Sequence, residues 1–277
     1  MSLPLRKHLR EVETLIRNAP GVFLVLDFDG TLAPLVRDPD GAQLAEKTRE
    51  VLRKLSRLPS VSAVVITGRA LPDVIARVGL DLTYAGNHGL EISGLGLDFQ
   101  HPRAAVLGPA LERICKRLVS ETPDIRGALV ENKRLSATVH FRQVAVRDRA
   151  MLGKKVRAAL DSDGADFTVE QEKAAFSIRP RVKWHKGSAA RWIRRRLRLQ
   201  TSIPICIGDD LTDEDLFTAF PDAVSIHVGS SQHTGARFSL RNTTEVQTFL
   251  LWLFEVLANP DRQDARPKPH AVRTRVG

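Results

Sequence analysis

The chain has 277 residues and a hydrophobic share of 43%, enough for two domains or one large one around a real core. No apolar run reaches the ~20 residues that span a bilayer and no signal-peptide core follows the start, so the reading is a soluble, cytoplasmic protein. A formal net charge of +10 suggests nucleic acid as a first partner, but no recognised nucleic-acid motif accompanies it.

An amphipathic helix is predicted around Leu5, Leu9, Val12 and Ile16. It leads into the apolar run Val22 to Leu26, which reads as a buried parallel strand. That strand ends in Asp27-Phe28-Asp29-Gly30-Thr31. Open α/β folds place ligands at the carboxyl edge of the sheet, so Asp27 and Asp29 are expected to meet at an active site. Two close acids can share a divalent cation, or one can attack while the other shuttles protons. An Asx turn carrying solvated acids is the alternative for this stretch taken alone.

A helix with Leu44, Thr48, Val51, Leu52 and Leu55 on one face crosses over to a second apolar strand at Val64-Val65-Ile66, making a βαβ unit. That strand ends on Thr67-Gly68-Arg69, and a third helix is predicted from Leu71 to Val78. From about Ala104 the pattern changes to a helix followed by hairpin-like strands. Leu135, Ala137, Val139 and Phe141 alternate with Ser136, Thr138, His140 and Arg142, so one face of that strand is apolar and the other polar. A helix near Met151 to Leu160 and strands near Phe167 and Phe176 complete a small sheet with helices on one face.

Lys186-Gly187 then opens a helical pattern, where the positive end of the helix and the ammonium group both favour an anion. The basic run Arg191 to Arg198 turns Trp192, Ile193 and Leu197 inward and reads as a solvated helix face. A strand at Ile203 to Ile207 closes on Gly208-Asp209-Asp210-Leu211-Thr212-Asp213, followed by a strand at Ala223 to Ile226 and a helix at Val246 to Leu257. Cys115 and Cys206 read as buried thiols without metal-ligand spacing. The proline- and arginine-rich stretch from Asn259 to Gly277 is expected to be disordered.

The order of acid pair, hydroxyl, lysine and acid cluster resembles the four motifs of the haloacid dehalogenase superfamily of phosphatases, at Asp27-x-Asp29-Gly30-Thr31, Thr67, Lys186 and Gly208-Asp209-Asp210-x-x-Asp213. Gly86-Asn87-His88-Gly89, Glu131-Asn132-Lys133 with His140-x-Arg142, Arg179-Pro180 and Trp184-His185-Lys186-Gly187 narrow the resemblance to trehalose-6-phosphate phosphatases.

The resemblance implies a doubly wound, mostly parallel Rossmann-like sheet of the haloacid dehalogenase type, split as 1–104 and 182–258, with an α+β cap inserted at 105–181 and a basic tail at 259–277. It implies a Mg²⁺-dependent phosphatase acting through an aspartyl-phosphate. Asp27, Asp29, Thr67 and Lys186 are then catalytic, and the ion is held by Asp27, the backbone carbonyl of Asp29 and Asp209, supported by Asp210 and Asp213. Gly68, Arg69, His88, Glu131, Lys133, His140 and Arg142 are the expected substrate contacts.

The substrate is expected to be trehalose 6-phosphate, with another sugar phosphate, such as that of sucrose or a glycosyl-glycerate, or a catalytically silent basic binding protein as alternatives. A monomer without membrane or nucleic-acid partners is expected. One position departs from the family pattern: Ser177 stands where a cap glutamate is common, and Glu170 or Glu172 in the neighbouring turn is the candidate replacement.

Overall fold

The computed structural model describes residues 2–36, 41–160, 166–172, 174–231 and 233–259, so almost all of the expected disordered tail lies outside the described residues. The first part of the chain forms β1 (Leu3–Pro4), α1 (Leu9–Arg17), β2 (Val22–Leu26), α2 (Glu46–Ser56), β3 (Val61–Ile66), α3 (Leu71–Val78), β4 (Thr83–Gly86), β5 (Glu91–Gly94) and β6 (Leu97–Gln100). An insert follows: α4 (Pro102–Glu121), β7 (Leu129–Asn132), β8 (Ala137–His140), α5 (Val146–Leu160), β9 (Phe167–Gln171) and β10 (Ala175–Pro180). The chain then returns through α6 (Lys186–Arg196), β11 (Ile203–Gly208), α7 (Glu214–Ala219), β12 (Val224–Val228), β13 (Phe238–Leu240) and α8 (Thr243–Ala258).

The main sheet has nine strands in the order β1-β13-β12-β11-β2-β3-β4-β5-β6. All pairs are parallel except β4–β5 and β5–β6. Every residue of β2 is buried, because helices cover both faces of the sheet. Val22, Leu24 and Leu26 pack with α1, α2 and α8, while Phe23 and Val25 pack with α6 and α7. The order β11-β2-β3 sets the carboxyl ends of the three strands side by side, with Leu26 opposite both Ile207 and Val65. The acid pair, the Thr67 hydroxyl and the acid cluster therefore emerge at one edge.

The insert is a four-stranded antiparallel sheet, β7-β8-β10-β9. Leu111, Ile114 and Leu118 of α4 and Leu152 and Val156 of α5 pack on Ala137, Val139, Phe176 and Ile178. Alternation along β8 then sends Thr138 and His140 to the opposite face, toward the strand ends of the main sheet. Leu135 departs from that pattern. It packs with Leu90 and Ala104 beside Trp184, under the linkers that join the two units.

Two parts of the architecture are absent from the periodic pattern. β1 and β13 are too short to show a period, and β5 and β6 hang on a turn at Gly94-Leu95-Gly96, all three residues at positive φ. The arginine run also has a local use. Arg194 donates to the carbonyls of Leu199, Gln200 and Ser202 and so ties down the carboxyl end of α6, while Ile193 is buried against the sheet. Among the described residues no helix is long and apolar enough to cross a membrane.

Gly187 sits in the first turn of α6 because a Cβ there would stand 2.1 Å from the Asp215 carbonyl oxygen and 2.9 Å from the Ala219 Cβ. In an open helix Gly→Ala stabilises by about 1 kcal/mol. Here Gly187→Ala is expected to destabilise by about 1–3 kcal/mol, because α7 must move away. Urea unfolding checks the sign: the midpoint should fall with the slope unchanged.

Candidate active site

Lys186, at the amino end of α6, is 2% exposed and reaches under the strand edge. Its Nζ donates to Asp27 Oδ1 at 2.7 Å and to Asp213 Oδ1 at 2.7 Å. The other oxygen of Asp213 accepts the backbone N–H groups of Asp209 and Asp210, both at 3.1 Å. Asp213 is thus a buried anchor that shapes the Asp209 turn and holds the lysine. The geometry needs glycine at two places. A Cβ on Gly30, whose φ is +79°, would lie 2.2 Å from the Asp209 carboxylate, and one on Gly208 would lie 2.2 Å from the Asp213 side chain.

Carboxylate oxygens of Asp27, Asp209 and Asp213 all lie within 4.8 Å of one another. Three carboxylates against one ammonium leave two excess negative charges in a largely buried place. Burial drives the Asp27 carboxyl well above its ordinary pKa; Lys186 opposes this, and Asp213 and Asp209 add to it. Burial also works against the Lys186 charge, but Asp213 and Asp27 outweigh it and hold the group firmly protonated. A divalent cation would balance that excess, and an all-oxygen donor set suits Mg²⁺. Asp27 and Asp209 are the carboxylates placed to hold it, since both oxygens of Asp213 are engaged. Asp210 instead turns Oδ1 to the Leu211 N–H at 2.8 Å and caps the short turn there.

Asp29 is clamped. Arg69 donates to it through Nε and Nη2, both at 2.7 Å, while Nη1 reaches Asp73 at 2.8 Å. Asp73 in turn pairs with Arg77 at 2.8 Å. Arg69, expected as a substrate contact, lines the cleft, and its side chain, 10% exposed, pairs with two carboxylates there. The spacing Arg69, Asp73, Arg77 at four-residue intervals is a signal for such a ladder that the motif reading passed over.

Thr67, 1% exposed, accepts the Arg69 N–H at its hydroxyl at 3.2 Å. Beside it, Asn87 and His88 hold φ of 50° and 58°, a backbone region that costs non-glycine residues roughly 1–3 kcal/mol and clusters at functional sites. The His88 ring lies against Gly68, and its buried Nδ1 has no hydrogen-bond partner. Burial first, then the charges of Arg179, Lys186 and Lys133, hold His88 well below its ordinary pKa, hence neutral. The Asn87 side chain spans the two units, donating to the Lys133 carbonyl at 3.1 Å and accepting from Ser136.

The polar face of the insert roofs a cleft of about 540 Å³. Asp27, Thr67, Lys186 and Asp209 line its floor, and Glu131, Lys133, His140, Arg142 and Glu172 line its roof. Glu131 accepts from His140 Nε2 at 2.8 Å and lies 3.7 Å from Lys133. Lys133 donates to the Gly68 carbonyl at 3.0 Å and Arg142 to the Val36 carbonyl at 2.7 Å, so both expected sugar contacts also tie the roof to the floor. Glu170 pairs with Arg179, whereas Glu172 lines the cleft. The cleft thus gathers Asp29, Gly68, Arg69, His88 and Asp210 with the rest of the expected set, and Asp213 lies behind its floor.

Residues 25–244 match the family model for trehalose-phosphatase. The chain belongs to the trehalose-phosphatase family. It is 33% identical over 269 residues to a probable trehalose-phosphate phosphatase of Oryza sativa subsp. japonica, covering 90% of this chain and 72% of that one. A solved trehalose-6-phosphate phosphatase related protein superposes with a TM-score of 0.76 at 24% identity, covering 86% of this chain and 99% of that one. A haloacid dehalogenase-like hydrolase from Bacteroides thetaiotaomicron shares the fold with a TM-score of 0.60 at 12% identity, covering 84% of this chain and 99% of that one. The chain is a phosphatase with the α/β core and inserted cap expected from its sequence.

Replacing Lys186 leaves two buried carboxylates without a counter-charge. Lys186→Met is expected to lose about 3 kcal/mol of stability near neutral pH, measured by urea unfolding. Because Asp27 titrates above its unfolded value, the penalty should shrink as pH falls through that raised pKa, where the protonated acid needs no partner.

Proposed function

We propose that the chain hydrolyses trehalose 6-phosphate to trehalose and inorganic phosphate through an aspartyl-phosphate on Asp27. The observation that carries the reading is the buried lysine bridging Asp27 to Asp213 at the floor of a cleft whose roof is a second, polar sheet face. Family membership supports the substrate, since the rice relative is named for trehalose phosphate.

A phosphate monoester carries about −1.5 to −2 charges near neutral pH, by analogy with phosphorylated side chains. An anionic carboxylate at ~4 Å from it is opposed by roughly 4 kcal/mol per unit charge at an effective dielectric near 20. Mg²⁺, held by Asp27 and Asp209 with the Asp29 carbonyl that the family resemblance adds, supplies the positive charge that offsets this repulsion when bound. Lys186 and the Thr67 hydroxyl hold the equatorial phosphoryl oxygens, where the transition state gathers charge.

Asp27 attacks phosphorus and the bond to the sugar oxygen breaks. Asp29 gives that oxygen its proton, then as a carboxylate takes one from the water that splits the acyl phosphate, which frees inorganic phosphate and restores Asp27. Both Asp29 oxygens accept from Arg69 in the structure, so the acid has to turn out of that clamp to reach the leaving group. The roof excludes bulk water while this happens.

A second reading is a phosphatase of another sugar phosphate on the same scaffold, favoured by Ser177 at the position where the family commonly carries a glutamate. The complete and assembled set of Asp27, Asp29, Thr67, Lys186 and Asp209 argues against a silent binding protein.

Phosphate release from trehalose 6-phosphate, sucrose 6-phosphate, glucose 6-phosphate and a small aryl phosphate, with Mg²⁺ and with a chelator, tests the proposal. Trehalose 6-phosphate should turn over fastest, and the chelator should stop it until Mg²⁺ is restored. Faster release from a different sugar phosphate replaces the substrate, and full activity in the chelator removes the metal from the reaction. Asp27→Asn should cut turnover by at least about a thousandfold while the melting temperature holds, because the amide is nearly isosteric but no nucleophile.

A further inference from the structure

Arg69 follows the carboxyl end of β3 and holds Asp29 in a two-pronged pair, through Nε and Nη2 at 2.7 Å each. Its remaining prong is turned away from the cleft: Nη1 donates to Asp73 at 2.8 Å. Asp73 lies in the first turn of α3, four residues after Arg69, and Arg77 lies four residues further on. Arg77 Nε donates to both Asp73 oxygens at 2.8 Å, while its Nη1 donates to the Ala42 carbonyl at 2.7 Å. One end of the row is thus fixed to the backbone between β2 and α2, and the other end is the acid of the proposed reaction. Arg69 also lies over the buried Phe28 ring, 5.4 Å from its centre, which further restrains its place.

Asp29 has to leave this clamp to protonate the sugar oxygen. Its departure takes a carboxylate from a guanidinium side chain that is 10% exposed, and removing a partner from a buried charge is costly. Asp73 does not depart. Gripped by Arg77 from its far side, it stays on Nη1 and keeps Arg69 paired while Asp29 is away. Burial works to raise the Asp73 pKa, but Arg77 and Arg69 outweigh it and hold the group below the ordinary carboxylate range, so its charge is present near neutral pH. Without that charge Arg69 would hold Asp29 the harder. Asp73 stands outside the cleft lining, so its influence on the reaction passes through Arg69.

We propose that Asp73 is a positioning residue for the acid step: by keeping Arg69 paired, it lets Asp29 leave the clamp and reach the leaving oxygen. The inference rests on the reading of Asp29 as the acid of the phosphatase reaction. A first-turn acid with an arginine four residues on also stabilises a helix by itself, and the nature of the leaving group separates the two roles.

The test measures kcat/KM for the best sugar phosphate of the panel and for p-nitrophenyl phosphate, whose leaving oxygen departs as a stable anion and needs no proton. This ratio covers the steps up to that departure, so the later hydrolysis of the acyl phosphate does not enter it. Asp73→Asn, nearly isosteric, should lose about ten- to a hundredfold on the sugar phosphate and stay within about twofold of the wild type on p-nitrophenyl phosphate. Arg77→Gln, which loosens Asp73 from its far side, should show the same selectivity with a smaller loss. In an Asp29→Asn background, adding Asp73→Asn should cost no more than about twofold further on the sugar phosphate, because the acid it serves is gone. Equal losses on both esters, no loss on either, or an undiminished loss in the Asp29→Asn background overturn the proposal and leave the phosphatase reading in place. An Asp29→Asn variant that keeps the wild-type kcat/KM on the sugar phosphate overturns the acid assignment and the proposal with it.

Discussion

Everything at the catalytic edge depends on one buried ammonium group. Lys186 is held by Asp27 and Asp213 at 2.7 Å each, and removing it would leave buried carboxylates without a counter-charge. The lysine sits at the start of α6, so its place is set by how closely that helix packs on α7, which Gly187 permits. Asp213 in turn orients the Asp209 turn through two backbone N–H groups, and Gly30 and Gly208 are the small residues that let these parts meet. The arrangement ends with a negative excess that only a cation or a proton can relieve, and this makes the site suited to metal-assisted phosphoryl chemistry.

The two units are joined by polar contacts that converge on the same edge. Lys133 bonds the Gly68 carbonyl beside Thr67, and Asn87 bonds both the Lys133 carbonyl and Ser136. Trp184, stacked on Phe99 with ring centroids 5.2 Å apart, anchors the returning linker by donating to the Gly89 carbonyl at 2.7 Å. Residues that bind the cap down are thus one or two positions from residues that line the floor of the cleft. The strained Asn87-His88 turn lies at the centre of these contacts.

The balance of charge inside the cleft divides it by height. Lys186, Arg69 and the neutral His88 surround the acid pair below, whereas the roof carries Glu131 and Glu172 beside Lys133 and Arg142. Part of the basic excess serves local structure: Arg194 closes the carboxyl end of α6 and Arg196 lies over the Trp192 ring at 5.1 Å.

Strands buried on both faces announce themselves as unbroken apolar runs, so Val22 to Leu26, Val64 to Ile66 and Ile203 to Ile207 were legible from the sequence, and so were the polar residues that end them. Leu71–Val78 and the split between Ala137 or Val139 and Thr138 or His140 were legible for the same reason, since period alone encodes a buried face. What period does not encode is which polar atoms meet. Arg69 could reach substrate or Asp29, and Glu170 or Glu172 could face the sugar. Only the packed structure placed Arg69 between Asp29 and Asp73, Glu170 on Arg179 and Glu172 in the cleft. Those choices depend on distances between segments far apart in the chain, where burial makes an unpartnered charge costly and therefore selects one pairing among several that the local sequence allows equally.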